Sequence, residues 1–171
     1  NVTIPTFINC YVQIYPRCPN ATYINCMVNW LNEGTNSTSY TIPATANFEN
    51  CVILGNYYAF KGTAMNCLYV NKSGGTLNPF SGQTNETNYT ASGYSVFEDF
   101  AGEYLWNANF RLTPANERKY VGTDGTTVGM YGGSMPFNMV VDNPRIKKCE
   151  VAPKTTTDGK LNVNIEVLEG E

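Results

Sequence analysis

Four short stretches of the chain repeat one pattern of apolar and polar positions. They are Thr6-Phe7-Ile8-Asn9-Cys10-Tyr11-Val12, Thr22-Tyr23-Ile24-Asn25-Cys26-Met27-Val28, Asn47-Phe48-Glu49-Asn50-Cys51-Val52-Ile53 and Thr63-Ala64-Met65-Asn66-Cys67-Leu68-Tyr69. Each has Asn-Cys at its centre, an apolar residue two positions before the Asn and a β-branched or aromatic residue two after the Cys. The cysteines follow one another at intervals of sixteen, twenty-five and sixteen residues. Recurrence of this kind points to stacked units that share one core. Alternation places successive side chains of a strand on opposite faces. The pattern therefore predicts inward columns Phe7/Tyr23/Phe48/Ala64 and Val12/Val28/Ile53/Tyr69, with Tyr11, Met27, Val52 and Leu68 facing outward. The expected fold is all-β: a right-handed parallel β-helix of about four short coils with a C-terminal capping region.

Asn9, Asn25, Asn50 and Asn66 fall at the bend between two strands. Asn tolerates left-handed dihedrals there, and stacked amides can bond the amide above and below, a structural ladder. Cys10, Cys26, Cys51 and Cys67 become a second ladder of small, soft residues. On count alone, six cysteines would suggest three disulfides. The constant Asn-Cys context favours free thiols at those four positions. Cys18 and Cys149 lie outside the pattern, either solitary or paired with each other. Zinc is disfavoured, with no Cys-x-x-Cys and no His. Sixteen residues are few for a three-sided coil, and the longer interval needs an outward loop, placed at Leu31 to Ala44 by its Gly, Ser, Thr, Asn and Pro.

Composition agrees with this picture. Asn and Thr are abundant, aromatics make up 13% of the chain and good helix formers are scarce, which favours strands and turns. A net charge of −3, with 15% charged residues, leaves no electrostatic footprint for nucleic acid. No stretch approaches the ~20 apolar residues of a membrane span. Six Asn-x-Ser/Thr triplets, at Asn1, Asn20, Asn36, Asn71, Asn85 and Asn88, compare with about three expected by chance from the composition. Most are read as by-products of the Asn and Thr content.

From about Tyr94 onward the chain resembles the C-terminal region of right-handed parallel β-helix repeat proteins secreted by Bacteroides-type bacteria. The residues that carry the resemblance are Ser95-Val96-Phe97-Glu98-Asp99-Phe100, Asn109-Phe110-Arg111-Leu112-Thr113, the run from Val121 to Gly133, Pro136-Phe137 and Asp158 to Ile165. It implies further coils upstream, a secreted or cell-surface location and no particular chemistry. The domain reading is residues 1–93 as Asn-Cys coils and 94–171 as last coil and cap, in one structural domain. Within the cap, Thr113-Pro114 with Glu117 signals a helix of a couple of turns before Tyr120. Leu161, Val163, Ile165 and Val167 alternate with polar residues as a half-buried strand after the Asp158-Gly159 turn.

Candidate chemistry is sparse. The glycine-rich run lacks the Lys-Ser/Thr of a phosphate loop. Glu98 and Asp99 are adjacent, so on a strand they face opposite ways; with Glu103 and Asp124 they read as solvated carboxylates. Asp142, Arg145, Lys147 and Lys148 read as a solvated turn, with recognition of an acidic sugar as the alternative. Aromatics in or beside loops are the better lead, because a sugar ring packs its C–H face on such rings. Trp30, Tyr57, Tyr58, Tyr104 and Trp106 are the candidate ligand-binding residues, with Tyr40 beside them. No catalytic residue, metal ligand or cofactor is expected. The expected function is a non-catalytic secreted or surface binding or structural module, engaging polysaccharide or other surface proteins. The alternatives are a polysaccharide lyase or glycoside hydrolase fragment, on fold analogy alone, and a structural subunit of a larger surface assembly.

Overall fold

A computed structural model describes residues 4–14, 20–30, 46–55, 62–74, 79–80, 87–102, 108–138, 145–151, 155–161 and 163–168. The described chain is mostly strands in parallel sheets, with few helices. Two units make it up, residues 1–137 and 138–171.

In the first unit, each Asn-Cys segment gives one strand before the Asn and one after the Cys. The strands before are β1 (Thr6–Ile8), β3 (Thr22–Ile24), β5 (Asn47–Glu49) and β7 (Thr63–Met65). Those after are β2 (Tyr11–Ile14), β4 (Met27–Trp30), β6 (Val52–Gly55) and β8 (Leu68–Asn71). The first set pairs in the order β1-β3-β5-β7 and the second as β2-β4-β6-β8, extended by β9 (Tyr89–Ser92). All these pairings are parallel. Register follows the pattern, with Phe7 opposite Tyr23, Tyr23 opposite Phe48 and Phe48 opposite Ala64. The first three stack as rings, with centroids 5.3 and 4.8 Å apart.

Between strands, Asn9, Asn25, Asn50 and Asn66 adopt φ of 50, 49, 53 and 50°. The left-handed bend costs most side chains about 1–2 kcal/mol and Asn less, which accounts for the recurrent residue. Behind it, Tyr23, Cys26, Val28, Phe48, Cys51, Ile53, Ala64, Cys67 and Tyr69 form one core with Phe80.

The second sheet is buried on its other face as well. Met27, Val52 and Leu68 lie opposite that core as alternation requires, yet they are 1, 2 and 0% exposed. They point outward from the first core, as expected, but other residues cover them. Val96, Phe97, Phe100, Phe110, Leu112, Tyr120, Val128 and Met130 pack against them, with Leu54 and Val70, in a second core. Side chains from residues 96–100 and 110–130 thus cover that face of the second sheet. A parallel sheet with both faces covered is the usual arrangement. The covering segment contains a 3₁₀ turn (Tyr94–Val96) and helix α1 (Pro114–Lys119), whose Thr113 hydroxyl accepts the Asn116 N–H at 3.4 Å.

The second unit is an antiparallel pair, β10 (Arg145–Val151) and β11 (Val163–Leu168), with Cys149 opposite Ile165 and Val151 opposite Val163. Its alternating strand was expected to bury its apolar face; Val163 and Ile165 are instead exposed, at 49 and 52%, like Asn164 and Glu166 on the other face.

Candidate functional site

The Asn side chains at the bends meet the glycine-rich run, which bonds Asn66, Asn50 and Asn9 in that order and passes Asn25 at Gly133. Asn66 Nδ2 donates to Val121 O at 3.2 Å. Asn50 Oδ1 accepts the Thr123 N–H at 2.8 Å and Asn50 Nδ2 reaches Thr123 Oγ1 at 3.0 Å. Asn9 Nδ2 donates to Met130 O and Gly132 O at 3.0 and 2.8 Å. These amides therefore bond the strap and not one another, as a ladder would have had it. The glycines are needed because the strap lies so close. A Cβ on Gly122 would sit 2.7 Å from Asn50 Cγ, and one on Gly132 would sit 1.8 Å from Thr127 O. Asn25 is 3% exposed; its Nδ2 makes no full hydrogen bond among the described residues but approaches the Asp124 carboxylate, whose pKa it helps to lower.

The thiols of Cys10, Cys26, Cys51 and Cys67 are free, as is the exposed Cys149; Cys18 lies outside the described residues. Cys26, Cys51 and Cys67 are each 0% exposed. The Cys26 N–H donates to Cys51 Sγ and the Cys51 N–H to Cys67 Sγ, both at 3.4 Å. The next N–H in the series, that of Cys67, donates to Asn88 Oδ1 at 3.0 Å, and Asn88 Nδ2 reaches Ala64 O at 2.9 Å. Asn88 precedes β9 as each Cys precedes its own strand, so it occupies a fifth cysteine position. Sequence reading missed this strand because Thr87-Asn88 replaces Asn-Cys; the only signal was the strand-like Tyr-Thr-Ala-Ser that follows. Burial pushes the Cys51 thiol well above its usual range, reinforced by Cys26 and Cys67. The Cys26 thiol is lowered, chiefly by its hydrogen bond with Cys51.

Two of the glycosylation triplets are occupied by structure. Asn71 is 1% exposed and bonds Gly74 O, and Asn88 has both amide atoms engaged as above. Asn20 is exposed.

Of the candidate ligand-binding aromatics, Tyr57, Tyr58, Tyr104 and Trp106 lie outside the described residues, as do Tyr40, Glu103, Asp142 and the expected Leu31 to Ala44 loop. Trp30 ends β4, but its side chain is outside the described set. Lys148 pairs with Glu150 at 2.8 Å. Asp124 accepts from the Thr126 hydroxyl and N–H at 2.7 and 2.9 Å. Burial opposes its ionisation, but those bonds outweigh it and its pKa is lowered.

A different group of side chains converges on the covering segment. Arg111 lies over the Tyr131 ring at 4.8 Å and reaches Glu117 at 3.5 Å. Tyr131 Oη contacts Asn109 Oδ1 at 3.3 Å, and Asn109 Nδ2 donates to Asp99 Oδ2 at 3.0 Å. Phe137, 39% exposed, meets Tyr131 edge-on at 6.0 Å. Phe137 thus offers an exposed ring beside the half-buried Tyr131, which carries the guanidinium on its face and the amide at its hydroxyl, with the Asp99 carboxylate beyond that amide. Sequence reading had treated Asp99 as solvated and had not singled out Tyr131 or Phe137. Tyr131 and Phe137 lie 25 and 31 residues beyond Trp106, the nearest candidate aromatic, and meet Asp99 and Asn109 only through the fold.

On the second sheet a polar cluster interrupts the apolar face. Lys72 Nζ donates to Asn29 Oδ1, Asn29 Nδ2 to Tyr11 Oη at 3.1 Å, and Gln13 Nε2 to the same Tyr11 Oη at 3.2 Å. Burial pulls the Lys72 pKa down to about 8. Among the described residues no group of three or more His, Cys, Asp or Glu side chains converges to hold a metal ion, and no helix is long and apolar enough to cross a membrane. No family model, curated protein or solved structure matches the chain.

Proposed function

We propose that the chain is the C-terminal part of a right-handed parallel β-helix, secreted or displayed at a cell surface, that acts as a non-catalytic module binding polysaccharide. The parallel registers and the Asn bends support the β-helix reading; side chains from residues 96–100 and 110–130 then cover its flank. The observation that carries the binding reading is the exposed Phe137 ring set edge-on against Tyr131, whose own neighbours are Arg111 and Asn109, with Asp99 beyond Asn109. Stacking contacts of about 0.5–1.5 kcal/mol each, set against the costs of association, imply dissociation constants nearer millimolar than nanomolar.

A glycan array and affinity gels with wild type, Phe137→Ala and Arg111→Ala test this. Weak retention lost in both variants is the expected result. Trp30→Ala and Trp106→Ala test the aromatics singled out from sequence. Calcium-dependent release of unsaturated sugars would overturn the reading in favour of a lyase. Silence across all glycans would favour a structural subunit of a larger assembly, a reading also supported by the exposed Val151, Val163 and Ile165 of the second unit.

A further inference from the structure

We propose that the thiol series Cys26–Cys51–Cys67 is a binding site for a soft monovalent d¹⁰ cation, Ag(I) or Cu(I), held two-coordinate between sulfurs of adjacent strands. The three cysteines immediately precede Met27, Val52 and Leu68, which pair in register across β4, β6 and β8. Strands in such a sheet lie about 4.8 Å apart. Two metal–sulfur bonds of about 2.3 Å placed end to end span nearly the same distance. A linear S–M–S unit therefore fits between neighbours without changing the strand spacing.

The surroundings select the type of ion. All three thiols are free and buried, and the residues around them are Tyr23, Val28, Phe48, Ile53, Ala64 and Tyr69. With sulfur as the donor, a soft ion is preferred over calcium or magnesium, which take oxygen ligands. The Cys51 and Cys67 sulfurs each already accept a backbone N–H, from Cys26 and Cys51 respectively. Those bonds favour negative charge on sulfur. Burial, which holds the Cys51 thiol protonated, and the carbonyl oxygens of Tyr23 and Glu49 at 3.4 and 3.2 Å from its sulfur oppose it, so a bound cation has to displace the thiol proton. Loading balances as one cation in and one thiol proton out, leaving a neutral thiolate–metal–thiol unit suited to an apolar core. Cys10, half-buried beside Cys26, gives the series an outer end.

The test uses reduced, oxygen-free full chain carrying Cys18→Ser and Cys149→Ser, titrated with silver nitrate and followed by native mass spectrometry. At least one Ag(I) retained through desalting is expected. After denaturation in the presence of the metal, alkylation at Cys51 should fall at least fivefold, with no uptake of Ca(II). Cys51→Ser removes the shared middle ligand and separates Cys26 from Cys67 by two strand spacings, so retention should be lost, while Cys10→Ser keeps it. Circular dichroism confirms that each variant is folded, and the wild-type protection pattern stands independently of both variants. Absence of retained silver, or silver that protects Cys10 alone, would overturn the proposal.

Discussion

An asparagine at φ near +50° does two jobs, and the four bends separate them. At Asn50 the side chain bonds Thr123 through both amide atoms, whereas the buried Asn25 Nδ2 makes no full hydrogen bond among the described residues and only approaches the Asp124 carboxylate. Asn50→Ala should lose both bonds and pay the left-handed penalty, on the order of 2–4 kcal/mol. Asn50→Gly loses only the bonds, and Asn25→Gly should cost less still. Urea denaturation of the three variants checks the order; equal losses at Asn25→Gly and Asn50→Gly would refute it. Lys72 gives a pH dependence. Its folded pKa of about 8 lies below the ordinary 10.5, so between these values the unfolded chain binds more protons and stability rises with pH. Thermal unfolding between pH 7.5 and 9.5 should show this rise, and Lys72→Met should flatten it. The amine is partly solvated, so the effect should be on the order of 1–2 kcal/mol. A wild type whose stability falls over that window would contradict the assignment.

At the scale of elements, the strands were the most legible part of the sequence. A period of two and a fixed Asn-Cys centre gave the pairing register of β1 to β8, because register on a buried face is dictated by which side chains must point inward. The helix at Pro114–Lys119 was legible from Thr113-Pro114 for an equally local reason, the satisfaction of its first N–H groups. The strap and the second core were not legible. Nothing local in Met27, Val52 or Leu68 says that residues about 30 to 100 positions away will cover them. Likewise the amide partners of the asparagines come from Val121 to Gly132, contacts that no spacing encodes. The Phe137–Tyr131–Arg111 group was missed for the same reason. The strap's glycines supply a test. Gly132→Ala should cost on the order of 3–4 kcal/mol, since its Cβ meets a backbone carbonyl that cannot step aside. Gly125→Ala, with open space but φ of +79°, should cost about 1 kcal/mol. Hydrogen exchange should show the Met130 and Val128 amides opening early in Gly132→Ala; unchanged protection would mean that the strap is not held as described.

The whole molecule divides at Phe137, and its two units differ in how they are stabilised. Residues 1–137 have two apolar cores, one on each face of the second sheet. In the second unit the described pairing is a two-stranded hairpin, an arrangement of marginal stability in water. Amides of β10 and β11 should therefore exchange faster than those of β4, β6 and β8, and a chain ending at Phe137 should keep a cooperative transition within a few degrees of the full chain. A shortened chain that failed to fold would show that the second unit is needed by the first. The central claim is that the Asn-Cys segments stack in parallel register with their thiols free in one core. Quantitative alkylation without reductant, read by peptide mass spectrometry, tests it most directly. In the native protein Cys149 should label readily, Cys10 more slowly, and Cys26, Cys51 and Cys67 hardly at all. In denaturant all five should label completely. Recovery of Cys26, Cys51 or Cys67 in a disulfide, or ready labelling of all three in the native chain, would contradict the account.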